Sequence, residues 1–194
     1  MVVDRDELSQ RVAFERLMAA VTTELVSTPT ERLDGTVENA LARVASLVAA
    51  DRGYIFFFSE DGTRFTCSHQ WCAPGVKSEK ASFQDASVDL VPWSIPLLKR
   101  GRDIEVRELD ELPSESGDMA GSLRAHGIKS LLTLPMMVGG RVVGAIGFDW
   151  CSGPAWWDAD SIALMRIIGD LVASSVTRQR AERELRASET RLRS

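Results

Sequence analysis

The sequence predicts an α+β fold in which helices at both ends of the chain flank an antiparallel sheet. Two pairs of apolar segments are joined by the tight turns Asp61-Gly62 and Gly139-Gly140, and connections this short allow only antiparallel pairing. Segments with helical periodicity precede the first pair and follow the second. Helices segregated from strands along the chain are typical of an α+β domain.

The composition indicates one globular domain with an extension. The chain has 194 residues, of which 44% are hydrophobic and 26% are charged. Its net charge of −5 leaves no basic surplus to neutralise phosphates, so we expect no nucleic-acid partner. No apolar run approaches the roughly 20 residues that span a bilayer, and the first ten residues lack a signal-peptide core. We therefore expect a cytoplasmic protein with no membrane partner, and the three cysteines suit a reducing compartment.

Two helices are predicted in the first fifty residues. Apolar side chains recur at helical spacing from Phe14 to Leu25, and Pro29 ends that segment. The same periodicity runs from Leu33 to Val48. Each segment thus places its apolar residues on one face of a helix.

Four strands follow from the two tight turns. Tyr54 to Phe58 has no alternation of apolar and polar residues, which indicates a central strand covered on both faces. The return strand runs from Arg64 to Trp71. Residues 129–138 and 141–150 form the second pair, and the small residues at 144, 145 and 147 indicate a strand against which a helix packs closely.

The segment from residue 73 to 124 is richer in Pro, Ser, Asp and Gly and contains two short helix candidates, at 91–101 and 116–126. The last helix is predicted to begin after Asp158, a favourable N-cap. Trp157 and Ile162 are placed to form a hydrophobic staple across that cap. From Arg178 onwards the composition changes to Arg and Glu.

The order and spacing of many short motifs resemble those of a GAF domain from bacterial multidomain signalling proteins. The resemblance covers about residues 33–180, and the tail ERELRASETRLRS is similar to a linker that introduces a PAS domain. The matching segments are HQWC at 69–72, PW at 92–93, LP at 112–113, GIKSLL at 127–132, LPM at 134–136, GAIGFD at 144–149, Trp157 and RQRAE at 178–182.

The resemblance implies a six-stranded antiparallel sheet with the N- and C-terminal helices on one face. Short lid helices and loops would cover the other face and close a small-molecule pocket. It divides the chain into an N-terminal dimerisation or linker helix (1–32), a GAF domain (33–177) and a helical linker (178–194) towards a missing PAS or output domain. The parent would be a sensor kinase or a cyclic-dinucleotide signalling enzyme.

Six residues are the candidates for ligand binding within that fold. Trp71 ends a strand and Trp93 begins a lid helix, so both would approach the pocket, either as a wall against a ligand or as core that fills it. Polar groups that fix a ligand would come from the end of the second lid helix and the start of the next strand, although Arg124 also fits a solvated surface and His126 a helix C-terminus. The full set is Trp71, Trp93, Leu97, Arg124, His126 and Ser130.

The stretch FTCSHQWC, residues 65–72, suggests a metal or redox site at first sight. Strand alternation places residues 67, 69 and 71 on one face, so Cys67 and His69 would converge. Structural zinc needs about four ligands, and the chain has only one further histidine and two further cysteines. We therefore expect no metal, haem or other cofactor, and interpret the cysteines as small buried apolar residues.

Two branches of the GAF family carry chemistry that depends on cysteine. One branch reduces free methionine sulfoxide with cysteines in the pocket-covering loops, and the other attaches a bilin to a cysteine followed by histidine. Neither arrangement occurs here, and the common nucleotide, hydrolase and metalloprotease motifs are also absent. We expect no catalytic residues.

The sequence thus predicts a non-catalytic sensory or regulatory module that binds an unknown small ligand and relays it through its terminal helices. The alternatives are a purely structural dimerisation module with a self-filled pocket and a thiol-based methionine sulfoxide reductase-like enzyme. We also expect a parallel homodimer through the terminal helices. Its seam would begin at Leu164 and Ile168 and fray beyond Arg178, where polar residues interrupt the coiled-coil pattern.

Overall fold

The computed structural model describes residues 5–153, 155 and 157–193 of the chain. The helices are α1 (Arg5–Ser27), α2 (Leu33–Leu47), α3 (Ser94–Lys99), α4 (Met119–Ala125) and α5 (Ala159–Arg193). The strands are β1 (Arg52–Phe58), β2 (Arg64–Cys72), β3 (Ala86–Ser87), β4 (Ile104–Val106), β5 (Ser130–Val138) and β6 (Arg141–Trp150). Within this described part, no helix combines the length and apolarity needed to cross a bilayer.

The strands form one antiparallel sheet in the order β3-β2-β1-β6-β5-β4. This confirms the predicted six-stranded α+β fold. The two predicted tight turns connect β1 to β2 and β5 to β6, and Gly62, Gly139 and Gly140 adopt the positive φ angles that such turns require. β1 and β6 are the central strands, which agrees with the apolar run of β1.

A β-bulge in β2 changes which side chains share a face. Ile55 pairs with His69, whereas Phe56 pairs with Cys67, so Ser68 is an extra residue without a partner opposite. One extra residue reverses the alternation beyond it. Cys67 and His69 therefore lie on opposite faces of the sheet, and the expectation that they converge is wrong.

The first face of the sheet is covered by α1, α2 and α5, as predicted. α5 begins as expected: Asp158 Oδ1 accepts a hydrogen bond from the backbone N–H of Ser161 over 2.7 Å. Gly169 lets the helix approach the sheet closely, because a Cβ there would lie 2.7 Å from Ile146 Cγ2. α5 continues without interruption through the predicted domain boundary at 177–178.

The predicted dimer seam does not lie on the surface where it was expected to begin. Leu164 and Ile168 are 0% and 1% exposed because they pack into the core beneath α5. The apolar periodicity of this helix therefore serves the domain's own sheet. Ile167 and Leu185 are instead exposed on the outer side of α5.

Residues 73–129 cross the second face of the sheet and contain α3 and α4. The side chain of Gln70 attaches this lid to β2, since its Oε1 accepts hydrogen bonds from the backbone N–H groups of Glu79 and Lys80. Beneath the lid, apolar side chains from α3, β4, β5 and β6 form a second, smaller core. The lid is therefore a folded layer with its own packing.

Candidate ligand cavity

A cavity of about 840 Å³ lies between the sheet and the lid. This volume is within the range of roughly 300–1,000 Å³ that is usual for small-molecule sites. Apolar side chains of the sheet and both lid helices form most of its wall, and the aromatic members are Tyr54, Phe56, Phe58, Phe65, Phe83 and Trp93. The cavity remains open although Trp93 already contributes to its wall.

The aromatic side chains of β1, β2 and the lid form a connected cluster around Phe56. The ring centroid of Phe56 lies 4.9 Å from that of Tyr54, 5.3 Å from that of Phe65 and 6.0 Å from that of Phe83. Such distances are typical of favourable tilted and edge-to-face contacts. The cluster gives the cavity one broad aromatic wall.

A buried ion pair lies at the floor of the cavity. Arg52 Nη1 donates to Asp149 Oδ2 over 3.0 Å, and Arg52 Nη2 donates to the carbonyl oxygen of Lys77, also over 3.0 Å. Arg52 and Asp149 are 4% and 2% exposed. Asp149 Oδ1 and Arg52 Nε are buried and have no hydrogen-bond partner among the described residues. Unpartnered buried polar atoms are uncommon in folded proteins.

Burial also changes the protonation of the groups at this floor. It raises the pKa of Asp149 to about 6, although Arg52 and the Tyr54 hydroxyl both act in the opposite direction. Burial likewise raises the pKa of Tyr54 well above its ordinary value. The Tyr54 hydroxyl shares a hydrogen bond of 3.0 Å with Thr133 Oγ1. The floor thus combines a carboxyl group that titrates near neutrality with a phenol that stays neutral.

Glu79 and His126 lie where the lid meets the cavity. Glu79 is 7% exposed, and its Oε2 atom lies 3.9 Å from His126 Nε2. His126 Nδ1 lies 2.8 Å from the carbonyl oxygen of Ser122 and therefore donates to it. His126 thus satisfies a carbonyl near the end of α4, as one interpretation expected, and also lines the cavity.

The structure brings three of the six predicted binding residues to the cavity: Trp93, Leu97 and His126. Trp71 lies on the opposite face and packs against the helix-covered core. The bulge at Ser68 is the reason, because it directs Gln70 rather than Trp71 towards the lid. The expectation that Trp71 borders the pocket is therefore wrong.

Arg124 and Ser130 also lie away from the cavity wall. Arg124 is exposed and donates to Asp110 Oδ1 over 2.7 Å, which agrees with the solvated alternative. Ser130 is buried, and its hydroxyl donates to the carbonyl oxygen of Arg107 over 2.6 Å. This hydrogen bond attaches β5 to the segment after β4. Both residues therefore have structural partners elsewhere.

Sequence reasoning missed the polar residues that the cavity does contain, namely Arg52, Glu79 and Asp149. Asp149 carried a usable signal, because it lies between Phe148 and Trp150 in an apolar strand and a buried aspartate almost always has a partner. Arg52 carried a similar signal, because it is a charged residue next to the apolar run of β1. Glu79 carried no such signal, since its burial depends on the path of the lid.

No cysteine is among the described residues that line the cavity. Burial raises the pKa of Cys67 to about 12 and also raises those of Cys72 and Cys151. These thiols lack the environment that produces a reactive thiolate. In the described ranges, no three His, Cys, Asp or Glu side chains are grouped as metal ligands would be.

Residues 32–176 match the GAF domain family. Over 158 residues the chain is 26% identical to the methanogenesis regulatory histidine kinase FilI of Methanothrix harundinacea, a match that covers 79% of this chain and 17% of that protein. The chain therefore spans less than a fifth of the length of this relative.

Solved structures of low identity share the fold. The chromophore-binding domain of the Stigmatella aurantiaca bacteriophytochrome superposes with a TM-score of 0.69 at 14% identity, covering 90% of this chain and 62% of that one. A GAF domain from a Coxiella burnetii phosphoenolpyruvate-protein phosphotransferase gives 0.66 at 13%, covering 88% and 96%. The phycoerythrobilin-bound GAF domain of a cyanobacterial phytochrome also gives 0.66, at 16%, covering 88% and 97%.

The family match covers most of the chain, and the order of strands, the helix-covered face and the lid agree with it. GAF domains are generally sensory or regulatory modules without catalytic activity. The chain belongs to the GAF domain family.

Proposed function

We propose that this GAF domain binds a small organic ligand in the cavity between sheet and lid and relays its presence through α1 and α5. The observation that carries this proposal is the open volume of about 840 Å³ beside a floor with unpartnered polar atoms. A self-filled pocket is disfavoured because Trp71, one of the two side chains that would fill it, lies on the other face. The thiol enzyme alternative gains no support, since no cysteine is among the described residues of the cavity wall.

The shortest route from the cavity to the terminal helices passes through β6. Ala145 faces the cavity, whereas its neighbour Ile146 packs against α5 at Gly169. A second connection joins α5 to β5, because Asp170 Oδ1 accepts a hydrogen bond from the backbone N–H of Met137 over 2.6 Å. A ligand that displaces Ala145 would therefore move a strand on which α5 rests directly. Close packing transmits small shifts of this kind to neighbouring elements.

The output end of the relay is a parallel homodimer with a downstream domain in cis. Because Leu164 and Ile168 are buried in the domain, the dimer contact uses the outer side of α5. Ile167 and Ala181 are exposed there at a separation of two heptads, and the exposed Leu185 follows four residues later, which is coiled-coil spacing. The similarity to part of a histidine kinase supports a signalling parent. A monomeric mass in light scattering would remove the dimer from this proposal.

The binding proposal is tested with the neutral fluorophore N-phenyl-1-naphthylamine and the variant Ala145→Phe. The added ring enters the cavity from its floor, so saturable fluorophore binding to the natural protein should weaken by about fivefold or more, the equivalent of roughly 1 kcal/mol. Ala163→Phe is the matched control, because Ala163 is exposed on α5. Circular dichroism establishes that both variants are folded. The proposal is wrong if the fluorophore does not bind or if Ala145→Phe and Ala163→Phe bind it equally.

A further inference from the structure

We propose that the cavity selects an organic cation, a protonated amine or amidine carried on an aromatic or apolar body. This inference rests on the proposed ligand-binding function and names the chemical class of the ligand. Three properties of the cavity wall carry it: its charge, its unpartnered acceptor and its aromatic faces.

The charge of the wall favours a cation. Among the described residues of the wall, four carry carboxyl groups (Glu79, Glu115, Asp118 and Asp149), whereas Arg52 is the one arginine or lysine. Arg52 is already engaged, because its two terminal nitrogens bind Asp149 and the Lys77 carbonyl. An anionic ligand would therefore find no free arginine or lysine in this wall and would face the buried carboxylate of Glu79. Asp149 and Glu79 are buried, so their charge is poorly screened and acts strongly on a ligand, whereas the exposed Glu115 and Asp118 contribute less.

Among the described residues, the buried side-chain acceptor without a hydrogen bond is a carboxylate oxygen. Asp149 is 2% exposed, and its Oδ1 atom has no hydrogen bond of normal geometry among the described residues, although the Tyr54 hydroxyl is close enough to lower the pKa of this carboxyl group. Glu79 is 7% exposed, and its Oε2 atom lies 3.9 Å from the His126 ring. Both residues line the cavity. An N–H donor from a ligand would satisfy Asp149 Oδ1, and a charged donor would form the stronger hydrogen bond.

The other unpartnered atom, Arg52 Nε, does not require an anion in the cavity. The guanidinium lies beside the Cys72 thiol, and it acts to lower the pKa of that thiol against the larger effect of burial. Arg52 Nε thus belongs to the edge of the floor near β2. The Cys72 sulfur beside the guanidinium is a weak acceptor.

Aromatic faces complete the recognition. A cation within about 6 Å of an aromatic centroid is attracted by the ring quadrupole, and this attraction increases when water is excluded. Phe56, Phe65 and Phe83 form one wall of the cavity within mutual contact distance. Phe58, at the outer end of the same strand, already has Lys99 Nζ at 5.3 Å from its centroid. Strand β1, which carries both Phe56 and Phe58, therefore already presents one ring to an ammonium group.

The test compares three indole probes of similar size: tryptamine, which is cationic, tryptophol, which is neutral, and indole-3-propionate, which is anionic. Each is titrated against the folded protein with bound N-phenyl-1-naphthylamine at about pH 7.5, where the amine is charged. Tryptamine should displace the fluorophore at roughly tenfold lower concentration than tryptophol, as a charge-assisted hydrogen bond implies. Indole-3-propionate should be the weakest of the three.

Glu79→Gln supplies the matched test of the charge. It keeps the size and polarity of the side chain, so it should reduce the preference for tryptamine over tryptophol while tryptophol binding changes little. Glu60→Gln is the control, because Glu60 is exposed in the β1–β2 turn and is not part of the wall. Phe83→Leu provides a second variant, which removes a ring but keeps an apolar side chain and should also reduce the preference.

The outcomes separate this inference from the proposed function. If tryptophol or indole-3-propionate displaces the fluorophore as well as tryptamine does, the cation inference is wrong and the binding cavity stands. Equal preference in the natural protein and in both Glu79→Gln and Phe83→Leu also overturns the inference. If neither the fluorophore nor any indole binds, the proposed function itself fails.

Discussion

Arg52 and Asp149 are directly opposite each other on the central strands β1 and β6, and Arg52 Nη1 lies 3.0 Å from Asp149 Oδ2. The pair is buried beneath the lid, where both charges have lost their hydration. Such a pair contributes little net stability compared with apolar residues, but each charge depends strongly on its partner. The pair therefore holds β1 and β6 together at the floor of the cavity. Losing either partner would leave the other charge buried and unpaired, which would lower the free energy of unfolding.

Replacing one partner of this ion pair should therefore destabilise the folded protein. Arg52→Met leaves the Asp149 carboxylate buried and unpaired, so the free energy of unfolding at about pH 7.5 should fall by roughly 3–5 kcal/mol. The double variant Arg52→Met with Asp149→Leu should recover much of the loss, because neither charge remains. Urea denaturation of both variants measures the difference. A double variant no more stable than Arg52→Met would contradict this description of the pair.

The raised pKa of Asp149 predicts a specific pH dependence of stability. The folded state holds this proton with a pKa of about 6, whereas the ordinary value is 3.8. The stabilisation from this tighter proton binding is therefore complete below about pH 4 and is lost as the pH rises to about 6, by no more than about 3 kcal/mol. Relative to Asp149→Asn, the natural protein should lose unfolding free energy across that window. A stability difference that stays constant between about pH 4 and 7 would show that the pKa is not raised.

The three cysteines should differ in reactivity. Cys67 is 0% exposed and has a pKa of about 12, so its thiolate is almost absent at about pH 8. Iodoacetamide applied to the folded protein should modify the half-buried Cys72 and Cys151 slowly and should leave Cys67 unmodified. Peptide mass mapping identifies the modified sites. Denaturant should make all three react alike, and rapid native modification of Cys67 would refute its placement.

Two helical glycines should respond in opposite ways to the same substitution. Gly169→Ala places a methyl group 2.7 Å from Ile146 Cγ2 and 3.2 Å from Met136 Cγ, so it should destabilise the fold by about 1–3 kcal/mol. Gly35→Ala in α2 meets nothing within 4 Å and should stabilise it by about 0.5–1 kcal/mol. Thermal unfolding of the two variants makes the comparison. Equal effects would show that α5 does not rest closely on β6.

Periodicity and turn chemistry predicted most of the fold. Helix ends followed local signals such as Pro29 and the Asp158 cap, and the two short turns allowed only antiparallel pairs. The bulge at Ser68 was not predictable, because nothing in an otherwise regular strand marks the extra residue. That one residue explains why Trp71 faces the helices and Gln70 faces the lid.

The site was predicted less well than the fold. Lid residues near Trp93 were placed correctly because helix α3 was recognisable from its sequence. Ser130 was misplaced because its partner, the Arg107 carbonyl, is in a segment whose path depends on tertiary packing. Arg124 is exposed, as the solvated alternative expected. The start of the predicted dimer seam, Leu164 and Ile168, was misplaced for a related reason: an apolar stripe does not reveal whether it packs on its own domain or on a second copy.

The most direct test of the cavity as a sensory site is methyl NMR of the methionines during titration with tryptamine. Met119 lines the cavity, Met136 and Met165 lie in the core between sheet and α5, and Met18 packs on that core from α1. We expect a saturable shift of the Met119 methyl together with smaller shifts at Met136 and Met165, all weakened by Ala145→Phe. Saturable binding that leaves Met119 unmoved would place the ligand elsewhere and would refute the cavity as the sensory site.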